Sequence, residues 1–165
     1  MFFSGKVAGI RGALDVKDPG NMALLGCRKP SVARKIDDLS VSMPELQIII
    51  GQFDGGQFDQ KSSAEKHYTV KFSRFNNNDV SRRKQDLLAL NSEAKSISNG
   101  WRQAGILIPD AAYGMAKPDA IDFIYYENPA DAQNFRSDNP TVVQKVGKFN
   151  SDHVLDFAYV NSRPK

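Results

Sequence analysis

The stretch His67-Tyr68-Thr69-Val70-Lys71-Phe72-Ser73-Arg74-Phe75, followed by Asn76-Asn77-Asn78-Asp79 and then by Val80 to Trp101, switches its hydrophobic period from two to about 3.6. Tyr68, Val70 and Phe72 alternate with Thr69, Lys71 and Ser73, the pattern of a strand with one buried and one wet face. Beyond the turn, Leu87, Leu90, Ala94, Ile97 and Trp101 recur at spacings of three and four, a single stripe of a helix spanning about residues 80–98. The asparagines tolerate left-handed backbone, and Asp79 offers a carboxylate to cap the first helical N–H groups. Asn99-Gly100 is the expected stop.

Working outward, most other segments read as strands. Ala8, Ile10, Leu14 and Val16 share a phase before the turn Asp18-Pro19-Gly20-Asn21. Leu39, Val41 and Met43 alternate with serines, and Leu46 to Phe53 follows after Pro44, its unbroken Ile48-Ile49-Ile50 pointing to a central strand covered on both faces. Ala104 to Ile108 is a short apolar run, and residues 110–119, rich in Ala, Gly and Pro, read as loop. Ala120 to Tyr126 is a strong strand. Thr141 to Phe149 and His153 to Val160 read as two closing strands, with Leu155, Phe157 and Tyr159 on one face. Residues 54–66 and 127–140 are expected to be mobile loops or arms. The expectation is one mainly β (α+β) domain over residues 1–165, an antiparallel β sandwich or barrel of about eight strands with one packed amphipathic helix.

Composition bounds the function loosely. A chain of 165 residues with 41% hydrophobic and 25% charged residues buries a core without staples, and neither disorder nor a fibre is indicated. No apolar run approaches the roughly 20 residues of a membrane-spanning helix, and the start Met1-Phe2-Phe3-Ser4-Gly5-Lys6 lacks the pattern of a secretory signal. A single cysteine, Cys27, precludes an internal disulfide and favours synthesis in a reducing compartment. The expected location is therefore the cytoplasm or an assembled particle, with no membrane partner.

The search for chemistry yields no catalytic residue and no cofactor. A cysteine hydrolase would need Cys27 activated by His67 or His153 and oriented by Asp152 or Asp156, but Cys27 lies in an apolar run typical of a core thiol. The two histidines stand far apart and no zinc-ligand spacing occurs, so no metal site is expected. Asp15 to Asn21 lacks the acid ladder of a calcium loop, and Asp54 and Asp59 lie in a Gly-rich surface turn. Neither phosphate-binding glycine motif is present.

Two binding readings remain. A net charge of +3 is no nucleic-acid signature by itself, but Lys71, Arg74, Arg82, Arg83 and Lys84 cluster among aromatics at the start of the helix. The ordinary alternative is a solvated face on which Arg82 pairs with Asp86, with the strand aromatics pointing away from Lys71. The leading expectation is a non-enzymatic, self-assembling structural protein. It draws on the many strands, on the repeat Gly51-Gln52-Phe53-Asp54/Gly56-Gln57-Phe58-Asp59, and on Phe53, Phe58 and Phe135 as candidate anchors in a homo-oligomer. A β barrel or sandwich with one helix is also the architecture of phage tail-tube subunits, an analogy of architecture that no residue motif carries.

Overall fold

A computed structural model describes residues 2–3, 7–17, 22–25, 45–55, 66–76, 79–97, 101–126 and 128–162. In chain order they form β1 (Phe2–Phe3), β2 (Val7–Gly12), β3 (Ala23–Leu24), β4 (Ile48–Gly55), β5 (His67–Phe75), α1 (Val80–Ile97), β6 (Trp101–Tyr113), β7 (Ala120–Tyr126), α2 (Pro129–Asp138), α3 (Pro140–His153) and β8 (Val154–Ser162). Six strands make one sheet in the order β2-β8-β5-β7-β6-β4, every neighbouring pair antiparallel, and β1 pairs with β3 in a separate ribbon. The sheet is open, with β2 and β4 at its edges, so a closed barrel is not formed.

The opening stretch folds as its pattern dictates. β5 occupies the sheet's interior, and the Asp79 carboxylate accepts the backbone N–H of Arg82 at 3.0 Å, capping α1. The wet face expected of β5 is absent, because helices lie over it: Lys71 and Ser73 are buried along with Val70 and Phe72. The stripe on α1 is also narrower than expected. Leu87 and Ala94 are buried together with the polar Arg83 and Asn91, whereas Ile97 is 48% exposed and Trp101 begins β6.

Side chains separate by face. Tyr68, Val70 and Phe72 join Ile121, Phe123 and Val160 in one core, against which Leu14, Val16, Met22 and Leu24 pack. On the opposite face, Phe75, Ile106 and Ala120 meet Leu87 of α1 and Phe149 of α3, and Tyr126 meets Ala94 and Val142. Helices α1, α2 and α3 thus cover this second face of the sheet.

Four expectations are corrected. Thr141 to Phe149 is helix rather than strand: Val142, Val146 and Phe149 recur at four and three, and Pro140 sits in the first turn where its missing N–H costs nothing. Residues 129–138 are helix rather than a mobile arm, started by Pro129 and by Asn128, whose side chain accepts the Asp131 N–H at 2.9 Å. Residues 110–113 continue β6 instead of opening a loop: Ala111, Ala112 and Tyr113 pair with Ile50, Ile49 and Ile48, and a bulge at Asp110 of β6 sets Pro109 opposite Gly51. Ile48-Ile49-Ile50 lie on the edge strand β4, half-buried, not in a central strand. The strand expected at 39–43, residues 56–65 of the expected mobile loop, Asn77-Asn78 and Asn99-Gly100 lie outside the described residues.

Candidate functional site

The helix-covered face of the sheet carries an uninterrupted row of side chains, one from each of four adjacent strands. Arg11 on β2 is the register partner of Tyr159 on β8, Tyr159 of Lys71 on β5, and Lys71 of Asp122 on β7. Direct cross-strand partners lie on the same face with Cβ atoms about 4.5–5.5 Å apart, so antiparallel registry alone aligns a guanidinium, a phenol, an amine and a carboxyl group. A second row, Asn161, Thr69 and Ile124, runs beside the first. Above both rows the three helices leave a cavity of about 630 Å³, within the range that holds a small organic ligand.

The floor of the cavity is polar and ordered by hydrogen bonds. Lys71, 3% exposed, donates from Nζ to Asn150 Oδ1 at 2.5 Å, and its ammonium also faces the rings of Phe149 and Tyr159 at 5.7 and 5.9 Å. Asp122, 2% exposed, accepts Asn91 Nδ2 at 3.0 Å on one oxygen and Gln103 Nε2 at 2.9 Å on the other. Thr69 Oγ1 lies 2.8 Å from Asn161 Oδ1. Asn150 also donates to the Tyr159 hydroxyl at 3.5 Å, so Lys71, Asp122 and Tyr159 each have a neutral amide partner from outside their own strand, as buried polar groups require.

Burial displaces the titrations. Loss of solvation lowers the Lys71 amine to about 8, a drop that the nearby Asp122 charge partly opposes. Loss of solvation likewise raises the Asp122 carboxyl, countered by the Gln103 hydrogen bond, the Lys71 charge and the Asn91 hydrogen bond in that order. Tyr126, whose hydroxyl is bonded by Thr69, is pushed up to about 12 by burial, and burial also raises Tyr159. Perturbed amine, carboxyl and phenol groups are thus gathered at one cavity, which makes it the candidate site.

The upper wall is apolar, with Leu87 from α1, Phe135 from α2 and Val142 and Val146 from α3. Arg11, Gln133, Arg136 and Gly147, all exposed, lie where the lining meets solvent. Arg11 stands over the Tyr159 ring at 5.0 Å.

The residues singled out in the sequence are dispersed. Of the basic cluster only Lys71 enters the cavity, and it is buried rather than on a solvated face. Arg74 Nε lies 3.4 Å from Asp156 Oδ1, an ion pair without hydrogen-bond alignment. Arg82 is exposed, and the pairing with Asp86 belongs to Arg83 instead, at 2.8 Å and three residues apart. Lys84 lies 3.5 Å from Asp54 at the end of β4. Phe53 is half-buried with its ring edge-on to Phe123 at 5.8 Å, and Phe135 meets Tyr126 at 5.6 Å. Phe58 and Cys27 lie outside the described residues. His153 packs against Phe149 at 5.2 Å, and Asp152 pairs with Lys148 at 2.7 Å. Among the described residues no group of three or more His, Cys, Asp and Glu side chains is placed to hold a metal, and no helix is long and apolar enough to cross a membrane.

The sequence alone does not mark Asp122, Tyr159, Arg11, Asn91 or Asn150 as site residues. Asp122 alone carried a usable signal, as the one acid at the centre of the apolar strand Ala120-Ile121-Asp122-Phe123-Ile124. Comparisons of the chain with protein-family models, with curated proteins and with solved structures find no match.

Proposed function

We propose that the protein is a binding module whose ligand is a small organic molecule held between the sheet and the helices. The supporting observation is the buried polar row Tyr159–Lys71–Asp122 beneath a cavity of about 630 Å³. Burying a lysine and a carboxyl group costs stability unless they are well partnered, and a purely structural sheet face would be more stable filled with apolar residues. A ligand that uses their remaining hydrogen-bonding capacity gives this arrangement a purpose. The apolar wall supplies affinity and the row supplies orientation, the usual division of labour in a ligand pocket.

Gly147 provides the test. A Cβ built on it meets nothing within 4 Å, and it lines the cavity, so Gly147→Trp places an indole at the opening without a backbone clash. Screening a library of small metabolites by thermal shift should find compounds that stabilise the wild type and leave Gly147→Trp unaffected. Compounds that stabilise both proteins equally, or none that stabilise the wild type, would contradict the proposal.

A second reading, self-assembly as the structural subunit of a virion-like or tube-like particle, is favoured by the open sheet. β4 contributes eight residues at one edge and pairs only with β6 among the described residues. A strand edge of that length with no second partner among the described residues is a template for pairing with another copy. Light scattering after size-exclusion chromatography tests it: a stable multimer supports assembly, and a monomer of 18.3 kDa removes it.

A further inference from the structure

The cavity's lining is unbalanced in charge. Lys71, Arg11 and Arg136 contribute three cations, while Asp122 is the one acid among the lining residues, and it is buried at the floor with both oxygens held by amides. Arg11 comes from the edge strand, where it stands 5.0 Å over the Tyr159 ring, and Arg136 from the last turn of α2, yet both line the same cavity. Neither guanidinium has a carboxylate partner among the described residues, although Arg74, Arg83, Lys84, Lys145 and Lys148 all do. Two guanidinium groups at one cavity, neither with a carboxylate partner among the described residues, repel each other, and an acid group between them removes that repulsion while accepting their fork of N–H donors.

Resting on the binding reading above, we infer that the ligand is an organic anion whose carboxylate or phosphate lies between Arg11 and Arg136 beside the Tyr159 hydroxyl, with an apolar or aromatic body directed inward along Phe135, Val142 and Val146. The polarity of the site fits this order. Charge enters at the solvent end, where arginine flexibility costs little, and the body reaches the apolar wall. Asn150 accepts from the Lys71 amine and donates to the Tyr159 hydroxyl at 3.5 Å, so Lys71 stands on the same side of the site as the acid group, and Asp122 lies one strand further along the row. A carboxylate and a phosphate monoester share the required chemistry.

Three probes of similar shape separate these possibilities: benzoate, phenyl phosphate and neutral benzamide, titrated by calorimetry or ligand-observed NMR. Benzoate, phenyl phosphate or both should bind at least about tenfold more tightly than benzamide, the equivalent of about 1.4 kcal/mol. The preferred anion identifies the acid group. Arg11→Gln with Arg136→Gln should erase the advantage of the anions over benzamide, and because both side chains are exposed the double variant should remain folded, as circular dichroism would check. Raising the salt concentration should weaken the anions alone. Benzamide binding as well as the anions, or anion binding that survives both substitutions, would overturn this inference and leave the cavity as a binding site. Failure of all three probes to bind would overturn both.

Discussion

Lys71 and Asp122 are direct cross-strand partners at the centre of the sheet, yet the amine is bonded to Asn150 and the carboxyl group to Asn91 and Gln103, with no direct ion pair between them. Each is thereby fixed in place by a neutral amide, from α3, α1 and β6. The pair remains electrostatically coupled without collapsing into a closed salt bridge. Both groups line the cavity floor, and neither is spent on a bidentate ion pair with the other.

The Lys71 amine should titrate near 8, followed by NMR of the side-chain carbon and nitrogen next to the charge. Asp122→Asn should lower it further, because the carboxylate is what opposes the desolvation. An amine titrating at the ordinary lysine value in the folded protein would show that water reaches it freely.

Stability should carry the same signature. Lys71 has a folded value of about 8 against 10.5 for an unperturbed lysine, so between these limits the unfolded chain binds more protons and stability rises with pH. The penalty is complete below the folded value and fades as pH rises through it towards the unfolded one. Relative to Lys71→Met, the wild type should gain stability from about pH 8 to 10.5, by an amount of the order of a few kcal/mol. Denaturant titrations of both proteins across this range measure it, and parallel profiles would refute it.

Asn91 is 4% exposed and spends its amide on Asp122. Asn91→Ala should destabilise the fold by about 1–3 kcal/mol, the cost of leaving a buried acceptor short of a partner. It should also raise the Asp122 titration further, a shift that simple loss of packing would not produce. Carboxyl-carbon NMR of Asp122 distinguishes the two.

Gly12, beside Arg11, has φ +133°, and a Cβ there would stand 2.1 Å from the Phe157 carbonyl oxygen. That same oxygen accepts the N–H groups of Ala13 and Leu14 at 2.9 and 3.1 Å, turning the chain away from the sheet. Gly12→Ala should cost about 1–3 kcal/mol of strain, read as a fall in melting temperature, and should displace Arg11 from Tyr159.

Much of the sheet was legible because its strands alternate plainly: β5, β7 and β8 were recognised from Tyr68-Val70-Phe72, Ile121-Phe123-Tyr125 and Phe157-Tyr159. The helix at Val80–Ile97 is legible from the recurrence of Leu87, Leu90 and Ala94 at spacings of three and four. Helices α2 and α3 were not, since β-branched Thr141-Val142-Val143 resembles a strand until the four-and-three spacing to Val146 and Phe149 is given priority over propensity. The polar stretch 127–140 reads as a loop or arm, although Asn128-Pro129 and Asn139-Pro140 within it each open a helix. The site was nearly invisible for a different reason. Lys71 looked solvent-facing because alternation reports which residues share a face, but not what covers that face. Its partners Asp122 and Tyr159 are 51 and 88 positions away and are joined to it only by strand order.

The most direct measurement is a titration of the isotopically labelled protein with benzoate and phenyl phosphate, following backbone and side-chain NMR shifts residue by residue. Saturable changes centred on Lys71, Asn150, Tyr159, Val143 and Gly147, and absent in Gly147→Trp, are the result predicted for a ligand seated between sheet and helices. Saturable changes elsewhere on the surface, or none at concentrations that saturate ordinary weak sites, would contradict it.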